Sequence, residues 1–166
     1  MPLSKSDLKA NILTAFRNVK SSPGPLTAPL MSPIVANQLA NAYHKYALAG
    51  MAGALKAIVP GQPAALGGPL AAVPLFLGWG PGLLAYWTPV IFAGPGFIPA
   101  NPTVPAAVVG VTADIVLLLP PNPIKIKTEE EFADKLATAL DLWTKKIMVI
   151  TTTVSVPPVV APMPLS

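Results

Sequence analysis

The chain has 166 residues, 52% hydrophobic and only 11% charged, with a net charge of +4 and no cysteine. The length fits one domain, and the lack of cysteine excludes disulfides, thiolate chemistry and cysteine-ligated metals. The basic residues are dispersed and Arg17 is the sole arginine, which excludes the clustered basic footprint of specific nucleic-acid recognition.

In chain order, residues 1–56 read as a helical part. Met1 to Asp7 lacks the apolar core of a secretory signal. Leu8, Ile12, Ala15, Phe16 and Val19 recur on one face and predict a helix over Ser6 to Val19, with Ser4 and Asp7 at its cap. Ser21-Ser22-Pro23-Gly24-Pro25 ends it. Ser32-Pro33 opens a second helix through Leu39, Ala42, Tyr43 and Tyr46 toward Gly50 or Gly53.

Residues 57–113 form a segment without Asp, Glu, Lys, Arg or His that holds ten of the 22 prolines and nine of the 12 glycines. The prolines break it too often for a membrane-spanning helix of roughly 20 apolar residues. Its aromatic residues, Phe76, Trp79, Tyr86, Trp87, Phe92 and Phe97, are foreign to a disordered linker. The expectation is a long, irregular apolar segment in which Gly78-Trp79-Gly80-Pro81-Gly82 and Gly94-Pro95-Gly96 are turns. Neither piece fits a phosphate-binding loop.

Residues 114–156 read as strand, helix and strand. Val104 to Leu119 predicts one or two strands and Ile124 to Ile126 a short one. Thr128-Glu129-Glu130-Glu131 is a capping box with three carboxylates at the positive end of the helix dipole. Phe132, Leu136, Ala139, Leu140 and Trp143 supply the apolar face. The β-branched run Ile147 to Val156 predicts a strand. The uncharged, proline-rich tail 157–166 predicts an extended chain lying on the domain or reaching a partner.

A weak internal repeat links Ala36, Leu39, Ala40, Ala42 and Tyr46 to Ala133, Leu136, Ala137, Ala139 and Trp143 at constant offset. It also links Leu84, Trp87 and Thr88 to Leu140, Trp143 and Thr144. His44, the only histidine, has no serine or carboxylate beside it and reads as a surface or interface residue. The carboxylates Glu129, Glu130, Glu131, Asp134 and Asp141 read as belonging to a capped helix rather than to a metal site. Asp114 interrupts an apolar run and reads as a turn between two strands or the exposed face of one, with a buried, hydrogen-bonded acid as the alternative. No catalytic, cofactor-binding or metal-binding residue is assigned, and enzyme function is not expected.

Ala36 to Ala42 and Ala133 to Ala139, with the Thr-rich strand Ile150 to Val156 and the ending Pro164-Leu165-Ser166, resemble small alanine- and proline-rich virion structural proteins of tailed bacteriophages, above all contractile-tailed ones. The resemblance is one of texture over about half the chain, and it transfers no functional residue. It implies a non-enzymatic part of a tail, baseplate or neck, located in the virion and held by other structural proteins of the assembly or by further copies of itself. The fold expected from the residues is α+β: two or three amphipathic helices on a small, mainly antiparallel sheet. Interface cores are rich in aromatic residues and poor in charge, so Phe76, Trp79, Trp87, Phe92 and Phe97 are the expected partner contacts. The alternative is a membrane-associated protein with a re-entrant or interfacial apolar segment.

Overall fold

A computed structural model describes residues 3–17, 33–73, 75–104, 115 and 128–166. Its architecture is α+β, with five helices and two antiparallel sheets among the described residues. Three helices follow the periodicity of the sequence. Helix α1 spans Lys5–Arg17, with Leu8, Ile12, Ala15 and Phe16 buried, and the Ser4 hydroxyl accepts from the Asp7 amide. Helix α2 spans Pro33–Ala47. In the fifth helix, α5 (Glu129–Thr144), the Thr128 hydroxyl accepts from the Glu131 amide, as the capping box requires. Helix α1 packs on both α2 and α5. Phe16 meets Phe132 edge-on at 5.0 Å there.

The charge-free segment departs from the expectation of irregular chain. Pro63–Ala72 forms helix α3 and Leu75–Trp87 forms helix α4, with Pro69 and Pro81 inside them. A proline in a helix disfavours the helical region for the residue before it, because its ring meets that residue's Cβ. Here the preceding residues are Gly68 and Gly80, which have none. The piece Gly78 to Gly82, read as a turn, is therefore helix. Its glycines serve close packing: a Cβ on Gly78 would lie 2.8 Å from the Pro69 carbonyl oxygen and 2.9 Å from the Leu70 Cα, and one on Gly82 would lie 2.7 Å from Leu66 Cδ1. Gly78 and Gly82, four residues apart on one face, let α4 lie directly on α3. Helix α3 in turn packs on α2. Gly94-Pro95-Gly96 is a turn as expected: the Phe97 amide donates to the Gly94 carbonyl, and Gly96 has φ 79°, as proline followed by glycine favours in a type II turn.

The first sheet holds β1 (Met51–Ala52), β2 (Leu55–Val59) and β3 (Ile91–Ala93) in that order, antiparallel throughout. In the second, β6 (Met148–Thr153) is central. It carries β7 (Val160–Pro164) along one side, and β4 (Phe97–Ile98) and β5 (Pro102–Thr103) end to end along the other. Two bridges join the sheets. Phe92 and Ala100 exchange both main-chain hydrogen bonds, at 2.8 and 2.9 Å, and so do Met51 and Ser166, at 3.1 and 3.0 Å. Next to the latter pair, Ala52 bridges Leu165. The pairing thus runs β1, β2, β3, β4 and β5, β6, β7 and back to β1, a closed antiparallel circuit. One side of it is buried through Ala52, Leu55, Phe92, Val149, Thr151 and Leu165.

The tail expected to lie extended on the domain is β7 and its bridge to β1. The strand expected over Ile147 to Val156 stops at Thr153, and residues 154–159 form the β6–β7 hairpin tip. The strands expected over Val104 to Leu119 lie outside the described residues except for Val104 and Ile115; Ile115 is helical and buried. Those expected over Ile124 to Ile126 lie outside them entirely, as does Asp114.

The internal repeat has a structural counterpart. α2 and β1, α4 and β3, and α5 and β6 share one order: helix, three connecting residues, strand. The residue before each strand, Gly50, Val90 or Ile147, is buried.

Candidate functional site

Trp79, Tyr86, Trp87 and Phe92 of the charge-free segment line the core rather than the surface. Trp79 and Phe92 are 0% exposed and Trp87 is 1% exposed. They do not offer the partner contacts expected of them, because α3, α4 and the strand circuit enclose them. Phe97 is half-buried against the core, and the side chain of Phe76 lies outside those described. The cluster is built mainly from α2, α4 and β3. Tyr43 meets Tyr86 edge-on at 5.5 Å, Tyr86 meets Trp87 at 5.4 Å, and Trp87 stacks on Phe92 at 6.4 Å.

A directed hydrogen-bond chain runs through this cluster. Trp87 Nε1 donates to the Tyr43 hydroxyl at 2.9 Å. The Thr144 hydroxyl spends its only proton on the Leu140 carbonyl at 2.7 Å, so at its 2.7 Å contact with Tyr43 it accepts. Beside this chain, Tyr46 donates to Asp141 Oδ1 at 2.6 Å and Lys145 donates to Oδ2 at 2.9 Å. Burial first, and then the Asp141 carboxylate, push the Tyr46 hydroxyl far above its ordinary range; burial does the same for Tyr43 and Tyr86. All three tyrosines stay protonated, and the network ties α2, α4 and α5 together. It lacks a nucleophile with an adjacent base. Tyr43→Phe strips the acceptor from Trp87 Nε1 and the donor from Thr144. A loss of about 1–3 kcal/mol in unfolding free energy is expected by denaturant titration, the cost of stranding buried polar groups.

His44, expected at a surface or interface, is half-buried with Nδ1 2.8 Å from the Tyr86 hydroxyl. Burial lowers its pKa below 6.5. The unfolded chain therefore binds a proton at higher pH than the folded one, and stability falls as the pH drops through 6.5 toward the folded value. The expected result is a melting temperature that declines between neutral and mildly acid pH, with a smaller decline in His44→Gln. Equal declines in both proteins would refute this account.

Glu130 and Asp134 flank Lys9 at 3.7 and 3.5 Å, and Glu131 pairs with Lys135 at 3.0 Å. Exposed pairs of this kind contribute little stability. No group of metal-ligating side chains converges among the described residues, and no described helix is long and apolar enough to cross a membrane.

Sequence reasoning missed the surface with the most distinctive chemistry. On the second sheet, the register pairs Ile98 with Thr152, Thr152 with Val160, and Ile150 with Pro162. Ile98, Ile150 and Val160 are 48, 51 and 62% exposed, and Val154, Val156 and Val159 at the adjoining tip are exposed as well. No charged residue occurs between Lys146 and the end of the sequence. Side bonds hold the tip: Ser155 donates to the Pro157 carbonyl, and the Val159 amide donates to the Thr153 hydroxyl. The available signal was the alternation Val149, Thr151 against Ile150, Thr152, which leaves an isoleucine on the outward side of a strand.

Comparison of the chain with protein-family models, with curated proteins and with solved structures returns no match.

Proposed function

We propose that the protein is a non-enzymatic structural component of a large protein assembly, acting through contacts with other structural proteins. A tail, baseplate or neck of a tailed phage particle is the setting that the sequence texture suggests. The observation that carries this reading is the apolar outer face of the second sheet with its tip, left exposed while the aromatic cluster of Tyr43, Trp79, Trp87 and Phe92 is buried within the chain. Apolar surface beyond a few hundred Å² is rarely left exposed on a soluble monomer, and patches larger than that mark interaction sites. Charge is absent from that face, as it is from the centre of protein interfaces.

The test is sedimentation of particles from source cells carrying a tagged copy of the chain. The tag is expected in the fast-sedimenting particle fraction, in fixed ratio to the other particle proteins. Recovery solely at the position of the free 17.1 kDa chain overturns the reading.

A further inference from the structure

Helices α1 and α2 meet along two rows of small and polar residues. On α2, Gln38, Asn41, Ala42 and Lys45 follow helical spacing, and on α1 Asn11, Thr14 and Ala15 do the same, so each set shares one face. The two rows line a groove of about 180 Å³, open to solvent on its outer side. Ala15 and Ala42 are 5 and 4% exposed, and their single methyl groups leave space that a larger side chain would fill.

The hydrogen-bonding capacity of this groove is unspent. Among the described residues, Lys9, Lys135 and Lys145 are ion-paired, whereas Asn11, Gln38, Asn41 and Lys45 make no side-chain hydrogen bond or ion pair with another residue. Gln38 is the sharpest case, because its Oε1 atom is buried without a partner, and a buried acceptor normally has one. The Thr14 hydroxyl donates its only proton to the Ala10 carbonyl at 2.9 Å, so toward a ligand it can only accept. The groove thus combines acceptors that need a donor, Gln38 Oε1 and Thr14 Oγ1, with a cation that needs an anion, Lys45. The amides of Asn11 and Asn41 can serve either need.

This inventory rejects several occupants. No carboxylate lines the groove, so a hard metal ion has no charged ligand. One cation and no aromatic ring do not make a nucleic-acid site. A bare anion would set its oxygens against Gln38 Oε1 and Thr14 Oγ1. An uncharged polyol would leave Lys45 without a counter-ion. A cavity of about 150 Å³ holds a molecule the size of benzene, which sets the scale of the ligand at roughly six to eight heavy atoms.

We propose that the groove between α1 and α2 binds a small carboxylate that carries its own hydrogen-bond donor, as an amino or hydroxy acid does. Lys45 and the asparagine amides take the carboxylate, and Gln38 Oε1 and Thr14 Oγ1 take the donor. This site does not depend on the assembly reading.

The experiment is an NMR titration of the purified full chain that follows the side-chain NH2 signals of Asn11, Gln38 and Asn41. L-serine and L-lactate are the probes. Acetate, with a carboxylate alone, and glycerol, with hydroxyls alone, are the controls. The expected result is a saturable shift with either probe, a dissociation constant on the order of 1 mM, and binding of both controls weaker by about tenfold or more. Lys45→Met and Gln38→Leu should each weaken probe binding by about tenfold or more, because each removes one end of the match. Gln38→Leu should also keep or raise the melting temperature of the unliganded chain, since it removes a buried acceptor that has no partner. The absence of a saturable shift up to about 100 mM of either probe overturns the proposal and leaves water as the occupant. So does acetate or glycerol binding as tightly as the probes, or folded Lys45→Met and Gln38→Leu variants that bind like the parent. A lower melting temperature in Gln38→Leu would show that the amide is satisfied within the fold and would overturn it as well.

Discussion

Replacing Trp87 by alanine is expected to lower the unfolding free energy by about 3–5 kcal/mol, the range for truncating a buried tryptophan or phenylalanine. Three losses combine at this position. The indole is 1% exposed, it stacks on Phe92 and meets Tyr86 edge-on, and its N–H starts the chain through Tyr43 and Thr144. At a few degrees per kcal/mol for a chain of this size, the melting temperature should fall by on the order of 10 °C. Trp87→Phe keeps most of the apolar contact and should fall less. The outcome also separates two roles. A surface contact residue would tolerate alanine with little change in folding and lose only partner binding. A melt within a few degrees of the parent would return Trp87 to the surface role expected from sequence.

The second large effect is expected at Gly78, where nothing is removed. Gly78→Ala adds one carbon, and that carbon meets the Pro69 carbonyl oxygen at 2.8 Å and the Leu70 Cα at 2.9 Å. These are main-chain atoms of α3, which cannot rotate aside as a side-chain end can. Helices α3 and α4 must separate, at a cost of about 1–3 kcal/mol; Gly78→Val should cost more. Ala85→Val adds carbons to an exposed position of the same helix and should stay within about 0.5 kcal/mol of the parent. Equal effects at 78 and 85 by calorimetry would refute the close approach of the two helices.

These two positions mark where sequence reading and structure part. Leu8, Ile12 and Phe16 in α1 and Phe132, Leu136 and Leu140 in α5 stand at helical spacing beside polar residues, so their periodicity is visible. The Thr128 cap and the Pro95-Gly96 turn are equally visible, because each depends on atoms within four residues. Helices α3 and α4 show no such contrast. They are apolar on the exposed side as well as the buried one, Leu77 and Leu84 of α4 being 53 and 42% exposed, so no polar stripe marks the helical period. Their prolines and glycines favour turns when each is weighed alone. Only with α3 against α4 and α2 does it emerge that Gly68 and Gly80 accommodate the prolines and that Gly78 and Gly82 set the spacing.

The candidate face was hidden for a related reason. Trp79, Trp87, Phe92, Ile150 and Val160 are all apolar, and composition cannot tell which of them a neighbouring element covers. The larger residues satisfy the description of an interface anchor as well as that of a core residue. The bridges Phe92 to Ala100 and Ala52 to Leu165 decide the matter. They close the strand circuit, turn Phe92 inward, and leave Ile98, Ile150 and Val160 outside. Strands of two or three residues have no sequence signature of their own, so that closure could not be anticipated.

By itself, the sequence determined the α+β class, the three amphipathic helices, the capped start of α5, the Gly94-Pro95-Gly96 turn and the extended tail. Each is fixed by side-chain periodicity or by hydrogen bonds between near neighbours. The tertiary structure decided that two stretches of the charge-free segment, Pro63–Ala72 and Leu75–Trp87, are helical, that Trp79, Tyr86, Trp87 and Phe92 are core, and that the outer face of β6 is apolar and exposed. Those outcomes depend on which distant elements meet, and burial is a property of the whole packed chain rather than of any stretch of it.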